Sequence, residues 1–83
     1  MKRLPDVKIF GIDLIVIQSS GYFRISSPQW NSLRTHGKTL NSAMTNMMQV
    51  IADVAPGYMF SPDKELGEDA IELKKFFIEK LLK

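Results

Sequence analysis

Residues 21–28 read Gly21-Tyr22-Phe23-Arg24-Ile25-Ser26-Ser27-Pro28, and residues 37–54 open on Gly37-Lys38-Thr39 and continue as an apolar-striped run from Leu40 to Val54. The first segment alternates with a period of two, which sets Phe23 and Ile25 on one face of a strand and Tyr22, Arg24 and Ser26 on the other. Gly21 supplies the positive φ that a tight hairpin turn at Gln18-Ser19-Ser20-Gly21 needs. Pro28 has no amide donor and stops the strand. Gln29-Trp30-Asn31-Ser32 then reads as a loop, and residues 33–36 as a third, shorter strand.

The second segment is a helix. Thr39 is its N-cap, worth about 1 kcal/mol. Leu40, Ala43, Met44, Met47, Met48, Ile51 and Val54 recur at three- and four-residue spacing and form one apolar stripe. The opposite side holds Asn41, Ser42, Thr45, Asn46, Gln49 and Asp53, a polar but nearly uncharged face suited to a partner. Phe23 and Ile25 are expected to lie beneath this helix, contributing roughly 3–6 kcal/mol before the entropy of ordering them.

The flanks complete this core. Residues 1–5 read as a loose arm. Val7, Ile9 and Ile12 begin an extended segment in which Gly11 is a bulge or bend. Residues 12–18 are β-branched and apolar, as expected of a strand covered on much of both faces. Pro56-Gly57 ends the helix. Tyr58-Met59-Phe60 is either an edge strand or a loop over the core. Ser61-Pro62-Asp63 has the form of a helix start with Ser61 as cap. Gly67 interrupts, and a second helix runs from Glu68 to Leu82. Its broad apolar face comprises Ile71, Leu73, Phe76, Phe77, Ile78, Leu81 and Leu82, and Lys80 and Lys83 suit its negative end. The expected class is α+β: a three-stranded antiparallel sheet with one helix packed on it, plus a C-terminal helix. One domain spans 1–83, with the core at 6–60 and the C-terminal helix at 61–83.

Composition narrows function by exclusion. The chain has 83 residues, 45% of them hydrophobic, and a net charge of +2. A chain of this length buries only about 60–65% of its unfolded surface, so a partner subunit would stabilise it. There is no cysteine, which removes thiolate catalysis and thiolate metal sites and favours a reducing, cytoplasmic setting. The longest apolar run, residues 14–17, is too short to span a bilayer, and Lys2-Arg3 is followed by Pro5-Asp6 rather than a signal-peptide core. Residues 1–55 carry a net charge of +3 and the remainder −1. This basic bias suits an acidic partner or RNA.

Chemistry is sparse. His36 is the only histidine. It is either a general base in a cleft or an exposed residue at a strand end, and no carboxylate adjoins it in sequence. No serine sits in a Gly-x-Ser-x-Gly turn. Asp63, Glu65, Glu68 and Asp69 lack a calcium-loop pattern and suit a helix start. No catalytic residue, cofactor or metal site is expected. Tyr22, Arg24 and Ser26 share a sheet face, which Arg34, His36 and Lys38 can extend, giving either a base-stacking platform for RNA or an ordinary exposed surface. Trp30 is either a core anchor or a partner hot spot. Phe76 and Phe77 on the second helix complete the candidate interface residues.

Residues 22–54 resemble the core of HicB-type antitoxins. The resemblance rests on the Gly21-Tyr22 hairpin exit, the alternating Phe23-Arg24-Ile25-Ser26 strand, Pro28, the Gly37-Lys38-Thr39 step and Ala43. Two departures are Asn31-Ser32 where the family usually has Pro-Gly, and Ser42 where an acid is common. The resemblance implies a partly degraded ribonuclease-H-like fold, no catalysis, and action as an oligomer that masks a small toxin ribonuclease. Family antitoxins often add a DNA-binding domain. Only one helix follows the core here, so DNA binding is not expected. The alternative reading is a small RNA-binding module that uses Tyr22, Arg24, Arg34 and Lys38.

Overall fold

The computed structural model describes residues 1–82. Lys83, expected to suit the negative end of the second helix, lies outside the described residues. The class is α+β, with four antiparallel strands in the order β1-β2-β3-β4 and two helices on one side of the sheet. The strands are β1 (Lys2–Ile9), β2 (Ile12–Ser19), β3 (Tyr22–Ser26) and β4 (Arg34–Gly37); the helices are α1 (Leu40–Met59) and α2 (Glu68–Leu81).

The sheet therefore has four strands, not the three expected. The segment read as a loose arm is the first half of β1, paired with β2 from Lys2↔Gln18 onward. Two features disguise it. Pro5 lacks an amide, and it sits with Asp6 in a register shift between Leu4 and Val7, where a missing donor breaks no ladder bond. Gly11 is not a bulge in one long strand. Phe10 and Gly11 have φ of 52° and 78°, the paired positive values of a two-residue hairpin turn.

The second hairpin turns at Gly21, φ 82°. β3 then pairs with β4 through Phe23↔Gly37, Arg24↔His36, Ile25↔Thr35 and Ser26↔Arg34. β4 begins one residue later than expected, after the buried Leu33, and includes Gly37. As the alternation requires, Ile25 is fully buried and Phe23 packs against the core, while Tyr22 and Arg24 are exposed.

α1 starts where the sequence placed it. The Thr39 hydroxyl accepts the Ser42 amide at 3.0 Å, and the Ser42 hydroxyl accepts the Thr39 amide at 3.1 Å. This reciprocal capping box satisfies two end amides without an acid. The helix does not end at Pro56-Gly57 but runs through Pro56 to Met59. An interior proline costs a helix about 3 kcal/mol in isolation. Here Ala52 and Pro56 are both exposed, so the carbonyl left without an amide can reach water. The last turn is held from outside: the Tyr58 ring packs on Phe77 at 6.1 Å, and the Phe60 amide donates to the Pro56 carbonyl at 3.0 Å. Tyr58 and Met59 are thus helical, neither edge strand nor loop.

Ser61 also differs from expectation. Its hydroxyl donates to the Gly57 carbonyl, closing α1 rather than opening the next helix. A 3-10 turn at Asp63–Glu65 follows, then α2 with Gly67 as N-cap. Lys74 ties α2 to this connection, its ammonium donating to the Ser61 carbonyl and to Asp63 Oδ1, each at 2.8 Å.

One core cluster joins the inner sheet face to both helices: Ile9, Ile12, Leu14, Val16 and Ile25 meet Met47, Ile51, Leu73 and Phe77. Met48, expected in the apolar stripe, is instead exposed. β2 is covered on one face only. Leu14 and Val16 are fully buried, whereas Ile15 and Ile17 are half-buried on the outer face, which carries no helix.

Candidate functional site

The register assembles the outer face. Directly paired residues point to the same side, so Arg3, Ile17, Arg24 and His36 form one row across all four strands. Ile15, Ser26 and Arg34 form the next row. Tyr22, at the start of β3, packs edge-on against the His36 ring at 6.0 Å between centroids.

Between this face and the start of α1 lies an open groove of about 870 Å³, lined by residues that include Tyr22, Arg24, His36, Lys38, Ser42 and Asn46. A hollow of about 270 Å³ continues it over Arg24, Arg34, Thr35 and His36, and one of about 160 Å³ extends to Ser26, Ser27 and Asn31. No carboxylate lines any of the three. Among the described residues the ion pairs use Arg3, Lys8, Lys74 and Lys75; Arg24, Arg34 and Lys38, which line these hollows, are among the cations without an acidic partner, as are Lys2, Lys64 and Lys80 elsewhere.

Gly37 fixes the groove wall. It is buried, and α1 lies directly on it. The Asn46 side-chain amide then donates to the His36 carbonyl at 2.9 Å, so the first turns of α1 hold the strand that carries His36. The His36 ring is exposed and packs on Tyr22, with no hydrogen-bonded carboxylate to orient it.

The other three candidate residues sit elsewhere. Phe77 is fully buried and belongs to the core, not to a surface interface. Phe76 is half-buried, its ring 5.7 Å from that of Trp30, with the Lys80 ammonium 5.9 Å above it. Trp30 is the packed anchor of its loop. Its amide and that of Gln29 both donate to the Ser27 hydroxyl, at 3.1 and 3.2 Å. The buried Trp30 Nε1 has no acceptor among the described residues.

A second surface was not anticipated. At the end of the molecule where the β1–β2 turn meets both helices, Phe10, Ala52, Pro56, Met59, Phe60 and Leu81 surround a hollow of about 290 Å³ without charged residues. Phe60 is 83% exposed and Phe10 50%. Leu82 and Ile78 of the C-terminal segment, and Met48 of α1, are exposed as well. The sequence signal for this patch was Phe10-Gly11, with Gly11 read as a bulge or bend rather than as part of a turn that lifts Phe10 outward.

Asp63 is more acidic than a free aspartate. The hydrogen bond from Lys74 and its positive charge hold the carboxyl below the ordinary value of 3.8. No group of three or more His, Cys, Asp or Glu side chains among the described residues is placed to hold a metal ion. No helix among them is long and apolar enough to cross a membrane. No protein-family model matches the chain, and no curated protein or solved structure matches it.

Proposed function

We propose that this chain is a small non-catalytic interaction protein, HicB-like in its core, that acts in the cytoplasm as a homo-oligomer and masks a small toxin ribonuclease. The observation that carries the interaction reading is the apolar end formed by Phe10, Met59, Phe60 and Leu81. Contiguous exposed apolar surface of this kind marks association sites on small proteins. A second copy fits it best. The lining has no charge to select a charged partner, and a two-fold axis sets the same patch against itself. The molecule measures 43 × 20 × 18 Å and exposes 5570 Å². A compact monomer of 9.5 kDa exposes about 5,000 Å². The elongated shape accounts for the larger area.

The HicB-like reading is supported by the order β2, β3, β4, α1, which follows the strand-strand-strand-helix plan of a partial ribonuclease-H-like core, with β1 as an added edge strand. The non-catalytic reading is supported by the groove chemistry: His36 is exposed and no carboxylate lines its surroundings. Native mass spectrometry of the chain purified from its host tests the proposal. A homo-oligomer, alone or with a second small protein of fixed stoichiometry, is expected. A monomer at all attainable concentrations, with no bound protein, overturns it.

A further inference from the structure

We infer that the outer face of β3 and β4 binds the phosphodiester backbone of a single-stranded nucleic acid, with a base laid against Tyr22 in the groove beside α1. The face is separate from the apolar end assigned to self-association, so the two readings stand or fall independently.

Four observations converge. First, Arg24, Arg34 and Lys38 have no ion-pair partner among the described residues, and His36 lies between them. Unpaired arginines on an exposed strand are otherwise a source of mutual repulsion. An anionic ligand relieves it.

Second, these groups form a line rather than a ring. Arg34 and His36 are two residues apart on β4, a step of about 6.8 Å, comparable to the spacing of neighbouring phosphates on one nucleic-acid strand. From Arg34 to Lys38 the path is about 13 Å at strand rise. Three adjoining hollows follow it. Arg24 lies beside this line, opposite His36, and the planar forks of Arg24 and Arg34 suit phosphate oxygens.

Third, the aromatic surface lies at the groove. Tyr22 is 39% exposed and is held edge-on by His36, so its ring is already oriented before a base arrives. Stacking of this kind is tolerant of sequence.

Fourth, the shape favours an extended single strand over a duplex. Reading a major groove requires a helix or a two-stranded ribbon that protrudes into it. Here the basic surface is an open hollow along the sheet, bounded at one end by the first turns of α1. An extended single strand can lie along it.

The test is fluorescence anisotropy with a dye-labelled RNA of about ten nucleotides, the single-stranded DNA of the same sequence, the corresponding duplex, and poly-glutamate as competitor. Three phosphate contacts predict a salt slope of about −2, a loss of about twentyfold in affinity between about 50 and 200 mM salt. Arg24→Ala and Arg34→Ala are each expected to weaken binding and to reduce the slope by about 0.7. Arg24→Lys keeps the slope. Both positions are exposed, so circular dichroism and urea midpoints stay at wild-type values. The RNA and DNA arms identify the natural ligand. Tighter binding of the duplex, no binding of either single strand at about 50 mM salt, unchanged slopes in both alanine variants, or equal competition by poly-glutamate overturns the inference. The last result would point to an acidic protein surface.

Discussion

Gly37 of β4 lies directly beneath Ala43 of α1: a Cβ on Gly37 would stand 2.5 Å from the Ala43 amide nitrogen and 2.9 Å from its Cα. Both obstacles are backbone, so neither can rotate away. The helix approaches the strand this closely only because the position has no side chain. Gly37→Ala is expected to destabilise the fold by about 2–3 kcal/mol, measured as a lower urea midpoint at unchanged m-value. A wild-type midpoint would mean that α1 sits farther from β4.

α2 enters the core through Leu73 and Phe77. Phe77 is fully buried and contacts Tyr58 and Phe76, whereas Phe76 is half-buried beneath Trp30 and Lys80. Phe77→Ala is expected to cost about 3–5 kcal/mol and Phe76→Ala distinctly less. Equal losses in chemical denaturation would show that α2 is rotated from this position.

Phe10 holds a left-handed backbone conformation that favours glycine or asparagine. A half-exposed aromatic in that position trades local strain for apolar surface. Phe10→Asn is expected to stabilise the isolated chain by about 1 kcal/mol in dilute denaturation experiments, while weakening self-association at higher concentration. Loss of stability at high dilution would contradict the turn geometry.

The Asp63–Lys74 contact makes a pH prediction with a definite sign. The folded-state pKa of Asp63 is lowered from 3.8, so the unfolded chain binds the proton more readily. The stabilisation is fully present above that value and is lost as pH falls below it through the folded-state pKa. Asp63→Asn is expected to be less stable than wild type near neutral pH and to converge with it at strongly acidic pH. A difference that widens on acidification would refute the assignment. The carboxylate is exposed, so the effect is small.

Residues with strong local preferences were legible in the sequence. β3 is bounded by Gly21 and Pro28 and alternates cleanly, and it falls where expected. Thr39 caps α1 and α2 begins at Glu68, as read, whereas Gly67, read as an interruption, is the N-cap of α2. What escaped depended on distant contacts. β1 looked like an arm because Pro5 hides in a bulge that only pairing with β2 makes harmless. Pro56 looked terminal because nothing local reveals that Phe77 and Ser61 hold the turn beyond it. The basic face was half legible: alternation put Tyr22 with Arg24, but their proximity to Arg34, His36 and Lys38 follows from the β3–β4 register. The apolar end was not legible, because it joins a hairpin turn to the ends of two helices far apart in the chain.

The central claim is that the apolar end around Phe10 and Phe60 joins copies of this chain. Sedimentation equilibrium of wild type and of Phe60→Ser at matched micromolar concentrations tests it most directly, since Phe60 is 83% exposed and its replacement leaves the core intact. An oligomer is expected for the wild type and a monomer of unchanged circular dichroism for the variant. Identical sedimentation of the two proteins, whether both assemble or neither does, would contradict it.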